Sequence, residues 1–242
     1  MHELSSLTVI DDKLLPFDQK SVPGFLSGIL VELIAGWKFS AVLCSINTFY
    51  IGVCWYVEAC INDLQSIFDE IDAFLTANDG DENNDNGLTK FTLRRSLLEA
   101  VDFHKRILSL IENFASLVDG VIFLTFSGGT VWLSTSMAQF MDINIKLFQP
   151  AVSNFLILVW LFVYCFYGNL ITWKCLQVAD FAYHSKFYNY PNDLKIFTLL
   201  MMERSQRPFY ITGYKITKCS LESYTRFLNT ALSFYMLFRN LW

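Results

Sequence analysis

Near the end of the chain, Glu222, Arg226, Asn229, Ser233, Met236 and Asn240 recur at steps of four, three, four, three and four. In an α-helix that spacing puts all six on one face. Leu221, Phe227, Leu228, Leu232, Phe238 and Leu241 surround them, so the segment reads as an apolar helix carrying a polar stripe. What such a stripe can do is solvate. At membrane depth, polar side chains are costly unless they face protein or water. The stripe therefore either packs against neighbouring helices or lines an aqueous path.

Other reactive groups are dispersed. His2, His104 and His184 lie far apart, and no Cys, Ser or second His stands at a spacing that would support acid–base or nucleophilic catalysis. An enzyme is not expected, and His104 reads as a packed or hydrogen-bonded structural residue. Asp119 stands alone in an apolar stretch, where interior hydrogen bonding is its natural role. Cys44, Cys54, Cys60, Cys165, Cys175 and Cys219 form no closely spaced pair. They read as reduced, small apolar residues, with no metal site and no cofactor implied. The run TANDGDENNDNG (76–87) has the composition of a calcium loop, yet no Glu closes it and Asn86 replaces the required Gly. It reads as an exposed acidic loop.

The elements that must carry these residues are membrane helices. Of 242 residues, 53% are hydrophobic and 17% charged, against roughly 25% charged in a soluble domain, and the apolar residues come in long blocks. The net charge of −5 sits largely in the acidic loop and excludes nucleic acid as a partner. Crossing a hydrocarbon core takes about 20 mostly apolar residues in helix. Four segments meet that length: 24–57, interrupted by Glu32 and Lys38; 114–140, containing Asp119; 148–173, free of charge; and 221–242, the most polar. The first is expected to continue as an amphipathic helix through Leu64, Ile67 and Phe74. The fold class is thus all-α, a polytopic helical membrane protein with four transmembrane helices and long helical extensions. Its parts are an N-terminal segment (1–23), extensions with the acidic loop (58–113), a short link (141–147) and a further extension (174–220).

Charge sets the expected orientation, because Lys and Arg collect in cytoplasmic loops. Lys90, Arg94, Arg95, Lys105 and Arg106 precede the second span, and Lys174, Lys186, Lys195, Arg204, Arg207, Lys215 and Lys218 lie between the third and fourth. The link between the second and third has only Lys146, and the N-terminal stretch only Lys13 and Lys20. Both long linkers are expected in the cytoplasm and both termini outside. No signal peptide precedes this arrangement, so the expectation is an incomplete chain, ordinarily preceded by an odd number of further helices.

Residue order adds to this. FVYCFYGNLITWKCLQVADFAYHSKFY (162–188), DLKIFTLLMMERSQRPFYITGYKIT (193–217), LLPFD (14–18), NDLQSIF (62–68) and LRRSLLEAVDFHKRILSLIENFASL (93–117) together resemble the insect odorant receptor family. Phe187 stands where Trp is usual before Tyr188, and Asn169 where an acid commonly follows the Gly. The ending SFYMLFRNLW lacks the motif that usually closes the related gustatory receptors.

The resemblance implies seven spans with the C-terminus outside, of which this chain supplies the last four. It implies that four subunits bring the last helix to a central axis as an odorant-gated, nonselective cation channel in the plasma membrane of sensory neurons. Carried over by position, Leu237 and Leu241 form an apolar gate and Asn240 faces the permeating ion, with Ser233 on the same wall. An apolar constriction closes by dewetting. Arg239 would repel cations in a full ring, so a heterotetramer with an odorant co-receptor subunit is expected. A small volatile apolar ligand would bind in the outer half of the bundle by burial and shape, against Phe25 and Ile29 on the first span, Trp132 and Met137 on the second, and Phe155 and Leu156 on the third. Each of these also reads as plain packing or contact with the lipid bilayer. The extensions would form an intracellular anchor holding subunits together. The alternative is a truncated, nonconducting subunit that alters the assembly or trafficking of full-length partners.

Overall fold

Long apolar blocks interrupted only once by a Gly- and Asn-rich run leave few places for a helix to stop. In the computed structural model, which describes residues 22–78, 86–139 and 148–241, three helices account for most of the chain: α1 (Val22–Asn78), α2 (Asn86–Gln139) and α3 (Phe148–His184). A 3-10 turn (Phe187–Asn189) leads to α4 (Asn192–Ser205), a two-stranded antiparallel hairpin, β1 (Thr212–Gly213) and β2 (Thr217–Lys218), and α5 (Leu221–Leu241). At 1.5 Å per residue the 54-residue α2 is about 80 Å long. That is more than twice a bilayer core of about 30 Å. Helices α1, α2 and α3 are long and apolar enough to cross a membrane, and each runs on beyond the length a membrane requires. At 21 residues α5 is long enough to span, at about 30 Å, but its polar stripe lowers its hydropathy.

The chain divides into two units, Met1–Gly52 and Val53–Trp242. In the first, the helix turns Leu30, Leu33, Trp37 and Phe39 outward, all of them exposed. A helix that leaves large apolar side chains uncovered on its own is built for a nonpolar surrounding.

The second unit is ordered by a repeat. A buried row on α1 runs through Cys54, Val57, Ile61, Leu64, Phe68 and Ile71, with Cys60 buried beside it; on α2 the row is Leu93, Leu97, Ala100, His104, Ile107, Ile111, Phe114 and Val118, and on α4 it is Leu194, Thr198, Met201 and Ser205. Steps of three and four alternate, the 3.5-residue period of knobs-into-holes packing. The predicted continuation of the first span through Leu64 and Ile67 is therefore present, with Ile67 partly buried. At the far end Ile71, Leu93, Leu97, Tyr190 and Leu194 close one apolar cluster, joining the end of α1, the start of α2 and the start of α4. Tyr190 donates from its hydroxyl to Ser185 Oγ (3.3 Å), which pins the turn after α3. Phe68 meets Phe181 with ring centroids 5.8 Å apart.

Nearer the spans, Lys174 of α3 pairs with Glu58 of α1 at 3.1 Å and donates to Asn62 Oδ1 at 3.3 Å. Its side chain is only 16% exposed, so this pair is better shielded than Lys90–Asp193, whose side chains are half exposed. Deeper in the apolar stretch, Ser136 of α2 donates to Asn154 of α3.

The extension expected over 174–220 is not one helix. Helix α4 stops at Ser205, and Pro208 follows three residues later, where a residue without an N–H can no longer break a helical bond. The chain then turns back as the hairpin. Ile216 N–H bonds to Gly213 O at 3.0 Å across a tight turn whose central residues, Tyr214 (φ 48°) and Lys215 (φ 59°), are both left-handed. Asn-Gly is the usual choice there, and two side-chain-bearing residues cost roughly 1–2 kcal/mol each. Surrounding contacts must hold them.

Candidate functional site

Helix α5 begins on a cap. Ser220 Oγ accepts from the Ser223 backbone N–H at 3.2 Å, satisfying one of the donors a helix start leaves open. From there one face packs. Tyr224 donates to Leu158 O of α3 at 3.3 Å and meets Phe162 edge-on, 5.6 Å between centroids. Phe227 lies edge-on to Phe126 of α2 at 6.2 Å, and Phe227 and Ala231 are buried. This is the α2–α3 groove in which α5 sits.

Asn229 lies two residues from both Phe227 and Ala231, about 200° around the helix at 3.6 residues per turn. The stripe is consequently on the side opposite the packed face: Glu222, Arg226, Asn229 and Ser233 are all exposed. Their polar groups are partly answered within the helix. Arg226 pairs with Glu222 at 2.6 Å, Thr230 donates to Arg226 O, and Ser233 donates to Asn229 O. Such back-bonding keeps hydroxyls satisfied while leaving the face free.

Ser233 of the stripe is exposed, and so is Leu237, which the resemblance rather than the spacing singled out, at 54%. The backbone of Asn240 and Leu241 belongs to α5, and their side chains lie outside the described residues. Of the expected ligand contacts, Trp132 on α2 and Phe155 and Leu156 on α3 are exposed and Ile29 is half-buried within the first unit. The side chains of Phe25 and Met137 lie outside the described residues. Trp132, Phe155 and Leu156 are not among the described residues lining the cavity of about 280 Å³ between α2 and α5, whose walls include Phe123, Phe126, Ser127, Thr130, Arg226 and Phe227.

His104 occupies a heptad position on α2, ten residues before the second span, and is 5% exposed. Its Nε2 is 3.4 Å from Ser205 Oγ on α4. Burial and, secondarily, the positive charge of Arg204 lower its pKa to about 4. The ring is neutral at physiological pH, a structural group bridging two helices. No cluster of His, Cys, Asp or Glu among the described residues could hold a metal ion.

One feature escaped sequence reasoning, namely what Asp119 holds. Its Oδ1 accepts the Tyr214 backbone N–H at 2.8 Å and lies 3.5 Å from Thr212 Oγ1. Asp119 is hydrogen-bonded, but at a half-buried position and to the hairpin rather than in the interior. The available signal was the run ITGYKIT (211–217), in which two β-branched pairs, Ile211-Thr212 and Ile216-Thr217, flank Gly213-Tyr214-Lys215.

The sequence profile of the family described as 7tm Odorant receptor matches residues 15–232. Among curated relatives, the odorant receptor coreceptor of Aedes albopictus is 24% identical over 166 residues, covering 66% of this chain and 35% of the relative. Odorant receptor Or2 of Anopheles gambiae is 24% identical over 154 residues, covering 62% and 40%. The chain thus spans between a third and two fifths of the length of these curated relatives. The fold is similar to that of the insect olfactory receptor OR5 from Machilis hrabei, solved in complex with eugenol: TM-score 0.77 at 15% identity, covering 94% of this chain and 56% of that one. With nine tenths of its residues inside the family profile and a helical membrane architecture that follows the same fold, this chain belongs to the 7tm odorant receptor family.

Proposed function

We propose that the chain forms the pore-bearing portion of an odorant-gated cation channel subunit that works with an odorant co-receptor. The observation that carries this reading is the orientation of α5. Its aromatic face is spent on α2 and α3, and its polar stripe is left exposed, with only Arg226 at its edge bordering the α2–α5 cavity. In a bilayer that face needs water or another subunit, and a ring of such helices supplies both. Leu237, on the uncovered side, and Leu241 act as the apolar gate, with Ser233 and Asn240 lining the path. Both long linkers lie in the cytoplasm of a sensory neuron and the C-terminus lies outside.

The anchor has a surface suited to assembly. Ile196, Leu199 and Leu200 of α4 are each about half exposed while the opposite side of that helix is buried, and an apolar face outside the membrane calls for a partner. A heterotetramer with co-receptor subunits covers it and dilutes the charge of Arg239. A small volatile apolar ligand is held by burial against Phe25, Ile29, Trp132, Met137, Phe155 and Leu156.

Whole-cell recording from cells expressing the receptor that carries this sequence, together with an odorant co-receptor, tests the proposal. Replacing Leu237 and Leu241 by Ser hydrates the constriction and raises ligand-free leak by about tenfold or more. Unchanged leak at normal surface density removes the gate assignment. A subunit that reaches the surface with its co-receptor and carries no current under any volatile tested fits the modulatory alternative instead.

A further inference from the structure

The link between the anchor and α5 is not a free loop. Asp119 Oδ1 accepts the Tyr214 N–H at 2.8 Å, fixing the first left-handed residue of the hairpin turn to α2. The Tyr214 ring lies edge-on to Phe123 at 5.4 Å, and its hydroxyl oxygen is 3.4 Å from where a Cβ on Gly120 would stand. A Cβ on Gly213 would come within 2.8 Å of the Phe123 backbone nitrogen. Hairpin and helix thus touch backbone to backbone. On the other side, Thr172 of α3 donates to Phe209 O at 2.7 Å, and a Cβ on Gly168 would lie 2.6 Å from Cys219 Cβ. Cys219 N–H bonds back to Ile211 O at 2.8 Å and closes the unit directly before the Ser220 cap of α5.

We infer that the hairpin 211–219, clamped between α2 and α3, is the rigid element through which anchor movements reach the pore helix, and that Asp119 is the positioning residue that sets its seat. The inference rests on the pore reading of α5. A flexible link could absorb a shift of α4 without moving α5. A hairpin of two left-handed residues, held by one carboxylate and by close contacts at Gly120, Gly168 and Gly213, transmits the shift instead. The carboxylate matters because it holds in place a turn whose backbone is otherwise unfavourable.

The test is single-channel recording, without ligand, of the receptor carrying this sequence with its co-receptor. Asp119→Ala removes the acceptor, and Gly213→Ala lifts the hairpin from α2 sterically while leaving the acceptor in place. Both should change spontaneous open probability by about five- to tenfold and in the same direction, the size of an ordinary coupling between sites. Asp119→Asn keeps an acceptor oxygen and should restore the parent value to within about twofold. Surface labelling accompanies each variant, and Gly213→Ala serves as the measurement if Asp119→Ala fails to reach the surface. Open probability unchanged in both, or moved in opposite directions, overturns the inference. If the Leu237 and Leu241 variants alter leak in the same cells, the pore reading stands while the hairpin inference falls. If those variants too are silent, the pore reading itself fails.

Discussion

The anchor and the α5 region use the same residue types in opposite ways. In the anchor, α1, α2 and α4 each bury an apolar row at a 3.5-residue period, α2 and α4 packing with α3, and His104 at a core position has a Ser within reach. In α5, Phe227 and Ala231 are buried while Leu232, Phe234 and Leu237 are left uncovered beside an exposed polar stripe. The anchor is therefore largely complete within one chain, apart from the outward face of α4. Helix α5 is seated by its chain but finished only by its surroundings. Substitutions in the first region should register as stability and those on the stripe as conduction.

The sharpest way to break that contrast is Leu97→Ala. Leu97 is 1% exposed and belongs to the cluster closing the anchor, so truncation should cost about 3 kcal/mol and lower the unfolding midpoint of the reconstituted protein by roughly 6–12 °C. A midpoint unmoved by this change would mean the anchor is not packed as described.

Acid should act on the same region through His104. Its pKa is about 4 in the folded chain against 6.5 unfolded, so the unfolded chain binds the proton first as pH falls. Stability is full above about pH 6.5 and declines down to about pH 4, with about 2 kcal/mol lost between pH 7 and pH 5. Thermal scans of the parent and of His104→Leu across that range should differ in slope, the variant being flatter. Equal slopes would place the acid sensitivity elsewhere.

Lys174→Ala should have a smaller effect. It leaves Glu58 without its partner at a partly shielded site, at a cost of about 1–2 kcal/mol. Lys90→Ala, across an exposed pair, should cost under about 1 kcal/mol. Reversal of that order in denaturation experiments would contradict the burial difference between the two pairs.

The smallest stability effect is expected on α5. Asn229→Ala, on the exposed stripe, should change stability by less than about 0.5 kcal/mol while altering single-channel conductance. A large loss of stability with unaltered conductance would show that the stripe packs against a partner rather than facing ions.

Much of this contrast was legible in the residues. The stripe from Glu222 to Asn240 could be read directly, because a helix converts sequence spacing into angle without reference to anything else. The same rule gave the continuation of α1 past the span. The hairpin was not read. Two strands of two residues each carry too little pattern to compete with a flanking amphipathic signal, and Tyr214-Lys215 lacks the Asn-Gly signature of its turn. Nor could the residues say that Asp119 reaches Tyr214, ninety-five positions away. The proposed ligand contacts remain scattered in the same sense, since abundant aromatics give no spacing by which to select Trp132 or Phe155.

By itself, then, the sequence determined that the chain is helical, membrane-embedded and marked by one polar face near its end, since hydropathy and helical period are local properties. Tertiary structure alone decided which side of α5 is buried, that His104 is neutral between α2 and α4, and that a carboxylate on α2 holds the turn before α5. Those outcomes depend on contacts between residues far apart in the chain, where burial and hydrogen-bond geometry set the energy, and no spacing rule along one segment contains them.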